Sequence, residues 1–405
     1  MIPVAGRESD PGLGLPRLGA WYFAYFAAAG VFLPYFSAYL FDRGLDARAV
    51  GVLFAALTVT KLVTPWLWGY AADRSGSRKR VVCIASAGAL LAFAAVTASP
   101  GFWPLFAALV VFGFFWQGAL PQFEALTLAR LGERATRYVH VRLWGSVGYV
   151  AAVTGVGALL ESFSLANVPV FVLAGLLLVA VAALAIPADS RPRSAPAAEC
   201  SELGIRPAIP GWLVAFFLAS LAMQASHGAF YTFFTPFLLD HGYRPGGIGV
   251  LWALGVVCEI VLFAFFAHRW IERFAVEWLL IGCFAAAVVR WVATATLAAD
   301  PVWLTASQIL HAATFGLHHA VAMYVLRRAF RDRHLGRAQA VYASVSFGAG
   351  SALGSLVAGQ LWASFGGEAA FLGAAVLAAL GGTVVAVWIR PALARGGGLE
   401  AASGR

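Results

Sequence analysis

The chain has 405 residues, of which 61% are hydrophobic and 12% charged, with a mean hydropathy of +0.80. Soluble domains carry about a quarter of their residues charged, so this composition excludes a soluble globular protein. The formal net charge of +9 raises nucleic acid as a partner, and the placement of the charges, set out below, excludes it.

A helix needs about 20 apolar residues to cross the roughly 30 Å bilayer core. Twelve stretches meet that need, at 17–41, 48–72, 81–99, 102–129, 140–161, 166–186, 211–239, 247–267, 276–298, 301–326, 338–364 and 369–389. Gly and Pro inside several of them are compatible with membrane helices. The expected fold is an all-α integral membrane protein, with twelve transmembrane helices in two pseudo-symmetric six-helix bundles. A tail at 1–16 precedes the first bundle at 17–186. A Pro-rich polar linker at 187–210 leads to the second bundle at 211–390 and a tail at 391–405. The first apolar stretch is too long for a signal-peptide core and lacks a cleavage site, so it is expected to remain.

Polar residues inside spans are costly and each needs a reason. In span one, Tyr22, Tyr25 and Phe26 are either cavity lining or packing. Lys61 in span two is too deep to snorkel fully, and reads as a salt-bridged residue or as an anchor for a substrate carboxylate. Span four carries Gln117, a hydrogen-bond donor to substrate or to a neighbouring helix, then Pro121 and Glu124. The proline is expected to kink the span and aim Glu124 inward. In span five, Arg142 and Ser146 share a helical face, with Tyr149 beyond. Arg142 pairs with Glu124 or snorkels. In span seven, Gln224 and His227 face substrate or pack. Glu259 in span eight is a proton carrier or the static partner of Arg290 in span nine. His311, His318 and His319 in span ten are packing donors, with proton relay near Arg290 the alternative for His311. Gly348, Gly350, Gly354 and Gly359 in span eleven read as close helix packing. Cys83, Cys200, Cys258 and Cys283 match no metal or redox spacing, and no metal site is expected.

Two features organise the whole. Residues 34–55, PYFSAYLFDRGLDARAVGVLFA, align without gaps to 232–253, TFFTPFLLDHGYRPGGIGVLWA, at an offset of 198. Phe36, Leu40, Asp42, Gly44 and Gly51-Val52-Leu53 thus meet Phe234, Leu238, Asp240, Gly242 and Gly249-Val250-Leu251. At the same offset Lys61 meets Glu259, placing opposite charges at equivalent positions that could pair in an empty cavity. Parallel repeats of this kind put a substrate site between the halves near the midplane. Among the 28 Lys and Arg, only Arg43, Arg48 and Arg244 fall in loops on one side, and Lys61, Arg142 and Arg290 fall inside spans. The remainder lie on the other side, with both termini, which the positive-inside rule makes cytoplasmic.

Residues 69–80, GYAADRSGSRKR, resemble the signature loop of the major facilitator superfamily, with Gly69, Asp73, Arg74, Gly76, Arg78 and Lys79 at its motif positions. The resemblance implies that this loop clasps neighbouring helices in one conformational state. The matching second-half stretch, AHRWIERF at 267–274, departs from the pattern. Over nearly the whole chain the sequence is similar to the lactose permease and phenylpropionate permease branch. FLPYFSAYL in span one, PQFEA around Glu124, RLWGSVGY from Arg142 to Tyr149, Arg290 and Leu310-His311 carry that similarity. It implies that Glu124 and Arg142 pair around substrate, that Tyr149 stacks on it where the sugar permeases have Trp, and that Arg290 and His311 serve proton coupling. The Glu expected three residues after His311 is Thr314, so the proton carrier must differ.

The expected function is secondary transport by alternating access: proton symport importing a small organic solute. An aromatic carboxylate such as a phenylpropionate leads, with a sugar or nucleoside next. The expected substrate contacts are Lys61, Glu124, Arg142, Ser146, Tyr149, Gln117, Tyr25 and His227, and the expected coupling residues are Glu259, Arg290 and His311. No cofactor is expected, protons being the coupling ion. The partners are a small-molecule substrate and the lipid bilayer of the cell (inner) membrane, and the chain is expected to be a monomer. Efflux, a membrane sensor and a membrane enzyme are the rivals; the short loops hold no catalytic cluster.

Overall fold

A computed structural model describes residues 14–187, 210–330 and 332–394. Most of both tails, nearly all of the linker and Cys200 lie outside the described residues. The first half contains α1 (Leu15–Asp42), α2 (Ala47–Val59), α3 (Thr64–Ser75), α4 (Arg78–Ala98), α5 (Phe102–Leu131), α6 (Tyr138–Leu159) and α7 (Val168–Ala185). The second contains α8 (Gly211–Asp240), α9 (Pro245–Phe265), α10 (Ala267–Arg273), α11 (Val276–Thr296), α12 (Pro301–Ile309), α13 (His318–Ala329), α14 (Asp332–Ala343), α15 (Ser351–Phe365), α16 (Gly367–Val384) and α17 (Arg390–Ala394). With no water in lipid to satisfy backbone groups, every spanning segment closes its hydrogen bonds within a helix.

Among the described residues ten helices are long and apolar enough to cross a membrane, and eleven if the bent α2–α3 pair counts as one span. The segment expected as span five is α6, helical over 22 residues, with His140 and Arg142 in its first turns. It falls outside that set. Span two is not the straight helix expected. Ala47–Leu62 and Thr64–Ser75 meet at 40°, at a narrow turn over Thr60–Leu62 followed by Pro65, which cannot donate to the helix. Pro121, by contrast, lies inside the unbroken α5; its ring leaves the Gln117 carbonyl without its helical donor. Among the described residues three spans of the second half widen into π-helical turns, at Ala312–Leu317, Ser344–Gly350 and Val385–Ile389, a feature often found at functional sites.

The repeat read in the sequence is also a repeat in backbone geometry. Gly44 and Gly242 end α1 and α8 with φ of 83° and 80°. The backbone hydrogen bonds Leu45 N to Leu40 O (3.1 Å) and Tyr243 N to Leu238 O (3.0 Å) close the two ends alike. Glycine is required at both because its φ is left-handed. The same two helices are the most enclosed, with 78% and 72% of their apolar windows buried against 39–56% in the other spans.

The halves meet at the end remote from the termini. A Cβ on Gly51 would stand 2.7 Å from the Ser355 carbonyl oxygen, so α2 and α15 cross backbone to backbone. A Cβ on Gly249 would overlap the Val153 carbonyl in the same way, so α9 and α6 form the pseudo-symmetric crossing. Tyr35 Oη, from α1, donates to the Val153 carbonyl (2.8 Å) beside that crossing. Phe41 packs on Phe233 and Trp362. Near mid-depth, Leu62 of the break in span two rests against Gly348 of the π-turn in span eleven. Toward the termini, Tyr70, Leu128, Val139, Phe266 and Val341 are exposed. The molecule is therefore closed at the far face and open toward the face that carries the termini.

Candidate functional site

The first-half side of the site is built on α1, α5 and α6. Arg142 Nε lies 3.9 Å from Glu124 Oε1, and Tyr138 Oη donates to the same oxygen (3.3 Å). The guanidinium sits 4.0 Å above the Phe26 ring, a cation–π contact. Both members of the pair are only partly covered, so the ion pair is open to exchange with a ligand. Ser146, one turn along from Arg142, is half-buried, as is Gln117; neither has a hydrogen-bonding side-chain partner among the described residues.

Tyr25 is placed differently from the cavity position expected of it. It is 4% exposed, stacked 4.1 Å from Trp116 and 5.0 Å from Trp21, with its hydroxyl donating to the Trp116 carbonyl. Tyr22 is likewise fully enclosed. The aromatic face of α1 here is thus core, packed within its own half; of the three rings Phe26 lies nearest the Arg142 guanidinium, at 4.0 Å against 5.5 Å for Tyr22.

Lys61 occupies the narrow turn of span two. Its neighbours Val59 and Val63 are 45% and 54% exposed and line an apolar outer groove with Phe106 and Val110. Residues two apart on a helix point to nearly opposite sides, so Lys61 turns inward. It is half-buried and has no ion-pair partner among the described residues. The expected pairing of Lys61 with Glu259 is absent: the two lie on different spans of opposite halves, and the open terminal face holds those spans apart.

In the second half, Arg290 is fully buried and held by neutral groups. Its Nη1 donates to His311 Nδ1 (3.0 Å) and Thr314 Oγ1 (3.2 Å), and its Nη2 to Gln308 Oε1 (3.0 Å). The ring planes of Phe230 and Trp291 flank it at 4.4 and 4.3 Å. Arg290 has no acceptor capacity, so His311 Nδ1 must be unprotonated. His227 Nδ1 donates to the Met223 carbonyl (2.9 Å), leaving Nε2 to accept from Thr314 Oγ1 (3.2 Å). Thr314, the residue standing where the resemblance implies Glu, therefore links the arginine to His227. The alternative reading of Glu259 as a static partner of Arg290 is not what the structure has: both terminal nitrogens of the arginine donate to His311, Thr314 and Gln308. His227 is fully enclosed in this network, and His318 packs edge-on against Phe284.

Glu259 points elsewhere. Its stem lies against Gly316 in the π-turn, where a Cβ would come within 2.9 Å of it. It is half-buried, within electrostatic reach of Arg142 across the interface and of Tyr149 and Tyr231. Tyr231 in turn lies within reach of both Glu259 and Arg290. Tyr231 is absent from the residues singled out in the sequence. The signal for it was helical spacing: Tyr231 is four residues after His227 and so shares its face. Gln308, three before His311, carried the same signal.

The signature loop folds as a clasp inside the first half. Gly76 ends α3 with φ of 65°. Ser77 Oγ then accepts from Arg80 N to start α4. Arg78 reaches Asp73 (3.2 Å) and donates to Gln122 Oε1 (3.0 Å), tying the α3–α4 turn to α5. Arg74 donates to the Tyr70 hydroxyl. The second-half loop is the short α10, whose His268 and Glu272 pair along the helix surface. Among the described residues no group of three or more His, Cys, Asp or Glu could hold a metal ion.

Residues 15–373 match the MFS_1 like family. The chain is 30% identical over 362 residues to an Escherichia coli (strain K12) protein described as "Probable 3-phenylpropionic acid transporter", covering 86% of this chain and 91% of that one. It is 31% identical over 350 residues to the maltose permease of Geobacillus stearothermophilus, covering 84% and 86%. Its fold is similar to the crystal structure of the nucleoside transporter NupG, with a TM-score of 0.78 at 17% identity over 94% of this chain and 98% of that one.

Proposed function

The chain belongs to the MFS_1 like family of major facilitator transporters, multi-pass membrane proteins and not enzymes, and on that premise we propose that it is a proton symporter importing a small organic acid. The observation that carries this reading is Glu259: a half-buried carboxylate whose stem packs on the π-turn of span ten at Gly316, within electrostatic reach of Arg142, outside the Arg290 network and with no fixed ion pair among the described residues. A carboxyl group so placed exchanges its proton with water on whichever side the cavity opens. On this reading the protein sits in the inner membrane with the open face toward the cytoplasm, as the positive-inside bias supports, and the arrangement is the inward-open one from which substrate and proton leave.

Substrate recognition falls to the inward-turned Lys61 and the loose Arg142–Glu124 pair, with Phe26 and Tyr149 as aromatic surfaces. Two cations on the cavity side support a carboxylate, and aromatic walls support an aromatic one. The E. coli relative described as a 3-phenylpropionic acid transporter agrees with that class. The maltose permease, at similar identity, supports a sugar as the second reading.

Proteoliposome uptake under an imposed pH gradient tests both. Phenylpropionate is expected to accumulate and maltose not. Lys61→Ala should weaken carboxylate uptake, and unchanged kinetics would remove it as anchor. Glu259→Gln should abolish gradient-driven accumulation and leave exchange intact; persistent accumulation would place the proton carrier elsewhere.

A further inference from the structure

A second cavity lies on the outer surface of the first half, away from the proposed transport site. It is a groove of about 1030 Å³ between α1, α6 and α7, at their ends nearest the terminal face. Its walls are apolar, from Phe23 on α1, Trp144 on α6 and Leu178 and Val181 on α7, and its rim carries Arg137 and His140. Among the described residues no acidic side chain lines it. From Pro16 to Phe23, from Arg137 to Trp144 and from Leu178 to Ala185 are seven residues each, so the groove runs roughly 10 Å along the helices at about 1.5 Å per residue.

The chemistry of the two ends differs sharply. Arg137 and His140 are exposed and have no side-chain partner among the described residues. Trp144, whose ring lies over Gly19, is 54% exposed, and Leu178 and Val181 are each 56% exposed. Helix α6 therefore presents two faces. Arg142 and Tyr149 turn toward the interface between the halves, and His140 and Trp144 turn toward lipid. A groove with a cationic rim at the membrane boundary and an apolar wall descending into the hydrocarbon matches one kind of molecule, an amphiphile with an anionic head. Basic recesses between membrane helices at this depth are suited to anionic headgroups.

We propose that this groove is a binding site for an anionic phospholipid, with the headgroup phosphate held by Arg137 and His140 and an acyl chain lying along Phe23, Trp144 and Leu178. Charge complementarity selects the headgroup, and the open lipid-facing wall admits the chain laterally from the bilayer. The site is independent of the substrate and coupling ion assigned above.

Native mass spectrometry of the purified full chain tests it, with phosphatidylglycerol and phosphatidylcholine of identical acyl chains as probes. Phosphatidylglycerol is expected to be retained at least tenfold more tightly. The double variant Arg137→Gln, His140→Gln should lose most of that preference, about fivefold of it with the Arg137 charge at an anionic surface, with phosphatidylcholine retention unchanged. Phosphatidylglycerol carrying a diazirine on its acyl chain should cross-link, in the unaltered protein, to peptides containing Phe23 or Leu178, a readout that needs no variant to fold. Equal retention of the two lipids, full preference in the double variant, or cross-links confined to other helices would overturn the proposal. So would displacement of the lipid signal by inorganic phosphate alone, or occupation of the groove by a second copy of the chain, seen as a dimer.

Discussion

The far-face seal rests on backbone meeting backbone, and Gly51→Ala tests it. In this structure the new Cβ would stand 2.7 Å from the Ser355 carbonyl oxygen and 3.1 Å from the Gly359 Cα. Neither atom belongs to a side chain that can swing aside, so α2 and α15 must separate by a few tenths of an ångström or more. Overpacking of this kind costs about 1–3 kcal/mol, and it falls only on the state in which the two helices cross here. The gain of about 1 kcal/mol in helix propensity from Gly to Ala is present in both states and cancels. The equilibrium should therefore move toward a far-face-open form by roughly 5–150-fold. Spin labels on Arg48→Cys and Ser364→Cys read this directly, since both positions are exposed and the two side chains approach to 3.5 Å here. The variant should gain a longer-distance population at the expense of the short one. Gly249→Ala should act likewise through the pseudo-symmetric crossing. A distance distribution unchanged by Gly51→Ala would refute the reasoning, because it would mean that this crossing does not set the closure.

Thr314→Val removes the hydroxyl that accepts from Arg290 and donates to His227; two buried groups lose a partner, at about 1–3 kcal/mol each, and thermal unfolding in detergent should fall clearly while Thr314→Ser restores it. Arg78→Ala should destabilise more than Asp73→Asn. The exposed pair is worth at most about 1 kcal/mol, whereas the charged hydrogen bond to Gln122 is worth about 1.5–3 kcal/mol; equal losses in thermal stability would contradict this ranking. Gly44→Ala and Gly242→Ala both force a side chain into a left-handed φ, at about 1–2 kcal/mol. Because the two ends share one geometry and neither Cβ would meet a neighbouring atom, their effects on the unfolding midpoint should agree closely.

What the chain alone determined are properties written along one dimension. Apolar length against bilayer thickness marked the spans, and the Lys and Arg asymmetry set an expected orientation. The 198-residue echo from Phe36 to Leu251 foretold a twofold architecture, which the matched turns at Gly44 and Gly242 display. Spacing along one helix was also legible: Arg142 with Ser146, and His227 with the overlooked Tyr231. Tertiary structure decided which faces meet. Tyr25 looked like cavity lining until its ring proved to be packed within its own half. Glu259 could equally have paired with Arg290 or Lys61, yet neutral groups hold Arg290 and the open terminal face keeps Lys61 apart. The break in span two has a local part, Pro65, and a tertiary part, the packing of Leu62 on a π-turn in the other half. Hydropathy and spacing report how each helix stands toward its solvent; the pairing of buried charges depends on distances between helices far apart in sequence, and only the folded arrangement sets those.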